Sequence, residues 1–272
     1  MYHIILVYLS LSKILPGEHK GMGFKSIVRE LLAIVLIVLL WKVLSIFLSS
    51  PLFPGPDKVL LSLVYLLLKE ELLIQLGITF SRVLIGLFLG ILTGFIVGVL
   101  VTLSSFLRDL VYPLIVFFIV TPSFAFIPLL ILWIGLNDWL PISLVIICSG
   151  FPIAYAIISS SKNIDPDIID VALSLGARRH ILVFKIVLPM ALTHIFSLLK
   201  LETSHALRLV FVAEYLAISS GLGYLMAKAY SLLRVDEILA IIILLGFLGL
   251  ILTYALEFIE TRIMEKRGFM RH

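Results

Sequence analysis

The sequence predicts an all-α polytopic membrane protein with six transmembrane helices. Three observations carry that expectation. Hydrophobic residues fill 61% of the 272 positions and charged residues only 14%, against roughly 25% charge in a soluble domain. Mean hydropathy is +1.20. The apolar positions gather into stretches near 29–49, 76–101, 109–135, 139–159, 190–217 and 237–258. A helix needs about 20 such residues to cross a hydrocarbon core about 30 Å thick.

Ahead of the first span, Met1 to Leu15 is apolar but too short to cross, and Pro16-Gly17 breaks it. It lacks the cationic start and the small-residue cleavage site of a signal peptide. Residues 1–21 therefore read as an interfacial helix or as a stretch preceding a natural start at Met22, within a cytoplasmic segment 1–28. In span one, Lys42 is expected to snorkel toward an interface. The Pro51-Leu52-Phe53-Pro54-Gly55-Pro56 run is a stiff linker that ends the helix. A short surface helix from about Asp57 to Leu73 follows, with Lys58, Lys69, Glu70 and Glu71 on its polar side.

Span two carries Gly86, Gly90, Gly94 and Gly98, a four-residue repeat that lets another helix approach closely. Span four holds the sole cysteine, Cys148. No disulfide within the chain can form, and the thiol reads as a small core residue. Lys200, Glu202, His205 and Arg208 interrupt span five, each charge costing roughly 2.5–3.5 kcal/mol at mid-membrane depth. Topology nevertheless requires it. With six spans and both termini inside, most Lys and Arg fall in cytoplasmic segments, and only Lys58, Lys69, Lys228 and Arg234 lie between spans on the other side, as the positive-inside rule expects. Omitting span five would put the basic tail 263–272 on the wrong side.

The net charge of +4 is thus placed against anionic lipid head groups and implies no nucleic-acid partner. No internal repeat is evident, which weakly disfavours transporter folds built by duplication. The six spans form one domain over residues 29–262.

Between spans four and five, residues 160–189 form a polar island. Asp165 before Pro166 is a helix start, with an acidic N-cap and proline in the first turn. Asp167 and Asp170 complement the positive end of the helix dipole, while Ile168, Val171, Ala172 and Leu175 fall on one face. Gly176 ends the helix. A second helical stretch, roughly Arg178 to Val187, runs to Leu188-Pro189 at the membrane entrance. The apolar stripe of the first helix wants a protein surface to cover it.

This island resembles the EAA loop of ABC-importer permeases, whose pattern is Glu-Ala-Ala, three residues, Gly, nine residues, Ile, one residue, Leu-Pro. Asp170 takes the Glu place, Val171 and Ala172 the Ala places, and Gly176, Ile186, Leu188 and Pro189 fall in register. Chance placement of the Gly and Pro alone is roughly a three-in-a-thousand event per register. Two departures are the shorter acid and the bulkier valine. Ser81-Arg82-Val83, the run from Pro128 to Gly135, Ala213-Glu214 and Ser219-Ser220-Gly221-Leu222-Gly223 extend the resemblance to the nitrate/sulfonate/taurine permease group, over about residues 31–262.

The resemblance implies a type I (MetI-like) importer fold in a homodimer. It also implies two ATP-hydrolysing partner subunits, an external substrate-binding protein, and a loop 160–189 that transmits ATPase closure. The chain has no Walker-type Gly-rich motif ending in Gly-Lys-Ser/Thr, so it is expected neither to hydrolyse ATP nor to hold a cofactor of its own. Selectivity is expected to reside largely in the binding protein, with a small anion slightly preferred as cargo.

Lys200, Glu202, His205 and Glu214 are the candidates for the translocation path, as ionisable groups inside the membrane. Lys200 and Glu214 lie within about 40° on a helical projection, so both can face one surface. The other reading is that these charges neutralise one another in packing. Ser220, Gly221 and Gly223 are candidates for an outer gate, since glycines allow sharp turns. Two alternatives are an ion-coupled secondary transporter using Glu202 or Glu214, and an intramembrane hydrolase recruiting Ser149 and His205. No Gly-x-Ser-x-Gly nucleophile elbow supports the latter.

Overall fold

The computed structural model describes residues 24–69 and 72–266; the expectations for residues 1–21 and for the tail beyond 266 lie outside them. The described chain is helical: α1 (Phe24–Leu48), α2 (Pro56–Lys69), α3 (Leu72–Leu103), α4 (Ser105–Val120), α5 (Ile127–Ile134), α6 (Trp139–Lys162), α7 (Pro166–Ser174), α8 (Arg179–Leu182), α9 (Leu188–Ala217), α10 (Leu222–Ser231) and α11 (Val235–Lys266). It divides into two compact units. One holds the described residues up to position 69 with Ala229–Gly246, and the other those from 72 to Lys228 with Phe247 onward.

Among the described residues four helices, α1, α3, α6 and α11, are long and apolar enough to cross a membrane, and up to six spans result when two bent pairs count as one each. Span three is the first departure from expectation. Instead of one rod over 109–135, α4 ends at Val120, a 3₁₀ turn occupies Ser123–Phe126, and α5 leaves at 103°. Pro122 drives this break. Thr121 before it is extended at φ −71°, ψ 131°, because the proline ring disfavours the helical region for its predecessor. Gly135, at φ +84°, closes α5.

In the smaller unit, α1 and α2 are tied by Trp41 Nε1 donating to Pro54 O at 3.0 Å and by Lys42 Nζ to Asp57 Oδ1 at 2.6 Å. Lys42 is therefore ion-paired to the next helix rather than snorkelling alone. The pair holds the Asp57 carboxyl below its usual range. Ser62 donates to Asp236, and Arg234 bonds Glu237 at 2.7 Å while lying over the Tyr65 ring.

The larger unit is built on α3 and α6. The glycine repeat meets α6 as its spacing predicts. A Cβ on Gly86 would strike Val145, one on Gly94 the carbonyl of Gly150, and one on Gly98 Ile157 and Ala154. Ile153, Ile157, Ala191, Ile195 and Leu199 then join α6 to α9, and Val101, Ile115, Ala154 and Ile158 seat α4 against α3 and α6.

Candidate functional site

The polar island folds as its residues dictate. Asp165 Oδ1 accepts the Asp167 N–H at 3.0 Å and opens α7. At the other end the Gly176 N–H reaches Leu173 O and the Ala177 N–H reaches Ala172 O, both at 2.9 Å. These two bonds, with Gly176 at φ +80°, make a Schellman cap. The second stretch differs from a separate helix. After α8, Val183–Val187 widens into a π turn, with the Leu188 N–H on Val183 O, and runs straight into α9. Pro189 explains the widening: it lacks the N–H for the Lys185 carbonyl and its ring crowds that carbonyl.

The island has an anchored side and a bare side. Ile164, Val183 and Val187 are buried with Val99 of α3, and Ile169, Ile186 and Leu188 pack on that cluster. Outward, Ile168 is exposed, Val171 is 61% exposed and Leu175 83%. Asp170 stands on the exposed side, while Ala172 and Pro189 are half-buried. The residues of the island thus divide: Asp170 and Val171 of the EAA register face out with Leu175 of the apolar stripe, and Ile186 and Leu188 hold the elbow to the helices.

A second constellation pins the Ser219–Gly223 turn to α3. Arg82 Nη1 donates to Glu214 Oε1 at 2.7 Å and to Ser220 O at 3.0 Å, and Nη2 donates to Ser220 Oγ at 2.6 Å and to Asp138. Thr79 Oγ1 lies 2.8 Å from Glu214 Oε2 and accepts the Leu222 N–H at 2.9 Å. Gly223 N–H bonds Glu214 Oε2 at 3.1 Å, and Gly221 N–H bonds Gln75 Oε1 at 2.6 Å. Ser220, Gly221 and Gly223 therefore belong to a locked turn. A Cβ on Gly221 would fall on the Glu214 carboxylate.

Third, a groove of about 490 Å³ runs along α6 from Cys148 to Asn163, between α4 and α9. Glu202 and His205 line it, with His205 Nδ1 3.6 Å from Glu202 Oε2 and Nε2 3.5 Å from Ser123 Oγ. Cys148, expected in the core, is half-buried and lines this groove.

Lys200 and Glu214 do not share a surface. Lys200 pairs with Glu260 at 2.6 Å and Glu257 at 3.5 Å on α11, while Glu214 faces α3. The projection fixed their azimuth only, and 14 residues of helix separate them by about 21 Å in depth. Ser149, on the face that meets Gly90, makes no hydrogen bond through Oγ, and His205 is engaged with Ser123 and Glu202. Among the described residues no three His, Cys, Asp or Glu groups could hold a metal ion.

Sequence reasoning missed Arg82 as the partner of Glu214. The signal was there: Gln75, Thr79 and Arg82 continue the glycine stripe of span two at three- and four-residue spacing, so the polar residues share its buried face.

Helices long and apolar enough to cross a membrane, a groove lined by Glu202 and His205, and a projecting, anchored elbow are the features of a membrane permease. Residues 86–266 match the family described as binding-protein-dependent transport system inner membrane components, and the chain belongs to that family. It is a permease subunit of an ABC importer and not itself an enzyme. It is 30% identical over 265 residues to an ABC transporter permease protein of Methanocaldococcus jannaschii, covering 94% of this chain and 99% of the relative. It is 28% identical to the taurine transport system permease protein of Escherichia coli K12, covering 86% and 87%.

Among solved structures, a bacterial ABC transporter that imports the acidic polysaccharide alginate superposes with a TM-score of 0.62 at 17% identity, covering 88% of this chain and 98% of that one. The inward-facing MetNI methionine transporter gives 0.58 at 20% identity, covering 74% and 96%. These likenesses establish the MetI-like fold.

Proposed function

We propose that this permease works as a pair of identical chains, with both termini cytoplasmic and each α7 resting on one of two ATP-hydrolysing subunits. Cargo arrives from an external binding protein. The observation that carries this reading is the bare face of Ile168, Val171 and Leu175 on a helix whose other side is seated against Val99 and Val187. A helix held on one side and apolar on the other is suited to pass a partner's motion inward. Closure of the ATPase pair pushes α7, the Gly176 cap and the π turn carry the push into α9, and α9 moves its groove-lining residues against α6.

The alginate transporter was also solved in complex with a periplasmic protein, which supports an external delivery partner. Relatives named for taurine and aliphatic sulfonates support a small sulfonate or related metabolite as cargo. Membership of an ABC permease family leaves an ion-coupled carrier disfavoured.

Purification from native membranes in mild detergent, beside a Gly176→Trp variant, tests the docking. An ATPase subunit retained by the wild type and lost by the variant is the expected result. Equal retention by both refutes α7 as the dock.

A further inference from the structure

The groove between α4, α6 and α9 carries a charge pattern that ATPase docking does not explain. Its volume of about 490 Å³ is that of a small-molecule site. No lysine or arginine among the described residues lines it, and Glu202 is the one carboxylate that does. The Glu202 side chain is 9% exposed, and Oε2 makes no hydrogen bond, with His205 Nδ1 standing at 3.6 Å, beyond hydrogen-bond reach. Arg208, the next basic residue along α9, is exposed, donates Nε–H to Ser204 O at 3.1 Å and lies outside the lining.

A buried carboxylate oxygen without a donor is costly to keep. The groove bears that cost beside His205, which in turn reaches Ser123. A charge-assisted hydrogen bond from a positively charged nitrogen removes it. A simple anion adds negative charge beside a carboxylate and removes nothing.

Resting on the importer reading above, we propose that Glu202 recognises the cargo, taking its positively charged or N–H-donating nitrogen. The solute is then a small cation or amino-bearing zwitterion, not a bare anion. Taurine, whose ammonium accompanies its sulfonate, fits this chemistry, and alkanesulfonates lacking a nitrogen do not.

Cys148 lines the same groove and is the only cysteine of the chain, so it serves as the reporter. The complex purified from native membranes is treated with two methanethiosulfonates of matched size, one bearing trimethylammonium and one sulfonate, and Cys148 labelling is read by peptide mass spectrometry. After correction for reactivity with a free thiol, the cationic reagent is expected to react about tenfold faster, as a focusing anionic groove requires. E202Q is expected to abolish the preference and E202D to keep it. Taurine is expected to slow labelling by a neutral reagent more than ethanesulfonate does, and only where position 202 is acidic.

Equal or inverted rates in the wild type, labelling by neither reagent, or a preference that survives E202Q overturns the proposal. Failure of the importer reading itself is visible separately, as absence of an ATPase subunit from the purified complex.

Discussion

Arg82 Nη1 lies 2.7 Å from Glu214 Oε1, and the two side chains, 3% and 0% exposed, join α3 to α9. The guanidinium also reaches Ser220 and the 73%-exposed Asp138, so one buried cation gathers three segments of chain. An ion pair of this kind is weak evidence of net stability but strong evidence of specificity of assembly, since removing one partner strands the other.

Glu214→Ala is therefore expected to destabilise the fold by roughly 3–5 kcal/mol, read as a lowered thermal midpoint in detergent. Arg82→Lys is expected to rescue little, because an ammonium lacks the fork that engages Glu214 and Ser220 together. An Arg82→Lys protein as stable as the wild type would show that the fork is dispensable.

Gly221→Ala places a Cβ on the Glu214 carboxylate and forces a φ of +96° on an L residue. The backbone conformation alone costs about 1–3 kcal/mol. A protease-sensitive turn is the expected outcome, with a lower yield of folded protein; unchanged proteolysis kinetics count against the locked turn.

Gly176 is different, since a Cβ there meets nothing within 4 Å and only its φ of +80° resists substitution. Gly176→Asn is expected to keep near-native stability, because asparagine tolerates this conformation. Gly176→Trp, expected to shed the ATPase subunit, is expected to abolish ATP-driven import. Native import by the tryptophan variant would remove the loop from the transmission.

Gly94 and Gly77 lie on one helix and predict opposite outcomes. A Cβ on Gly94 strikes the Gly150 carbonyl, whereas Gly77 has open space. Gly94→Ala is expected to lower the thermal midpoint, and Gly77→Ala to raise stability by up to about 1 kcal/mol through helix propensity.

The Lys42–Asp57 pair sets a pH dependence. Asp57 titrates below its usual value because Lys42 donates to it, so the tie is complete above the ordinary carboxyl pKa and is lost as pH falls through the lowered one. Protection of the α2 amides, taken relative to the intrinsic exchange rate at each pH, is expected to fall on acidification in the wild type. Asp57→Asn should show the lower protection at both pH values, and a pH response of protection persisting in that variant would assign it to another group.

Much of this protein was determined by local chemistry. Apolar runs near 20 residues placed the helices because in lipid a single segment can satisfy its own backbone hydrogen bonds only as a helix. The four-spaced glycines set which face of α3 meets α6. Asp165, Pro166 and Gly176 fixed α7, since caps act within one turn of chain.

What only the tertiary structure decided is partnership across long separations. Periodicity gives the azimuth of a charge on its own helix and nothing about the helix facing it, so the pairing of Glu214 with Arg82 and of Lys200 with Glu260 awaited the packing. The 103° break at Pro122 was equally hidden, because an apolar run reads the same whether it crosses straight or folds. The groove lined by Glu202, whose Oε2 makes no hydrogen bond, exists only once α4, α6 and α9 are assembled.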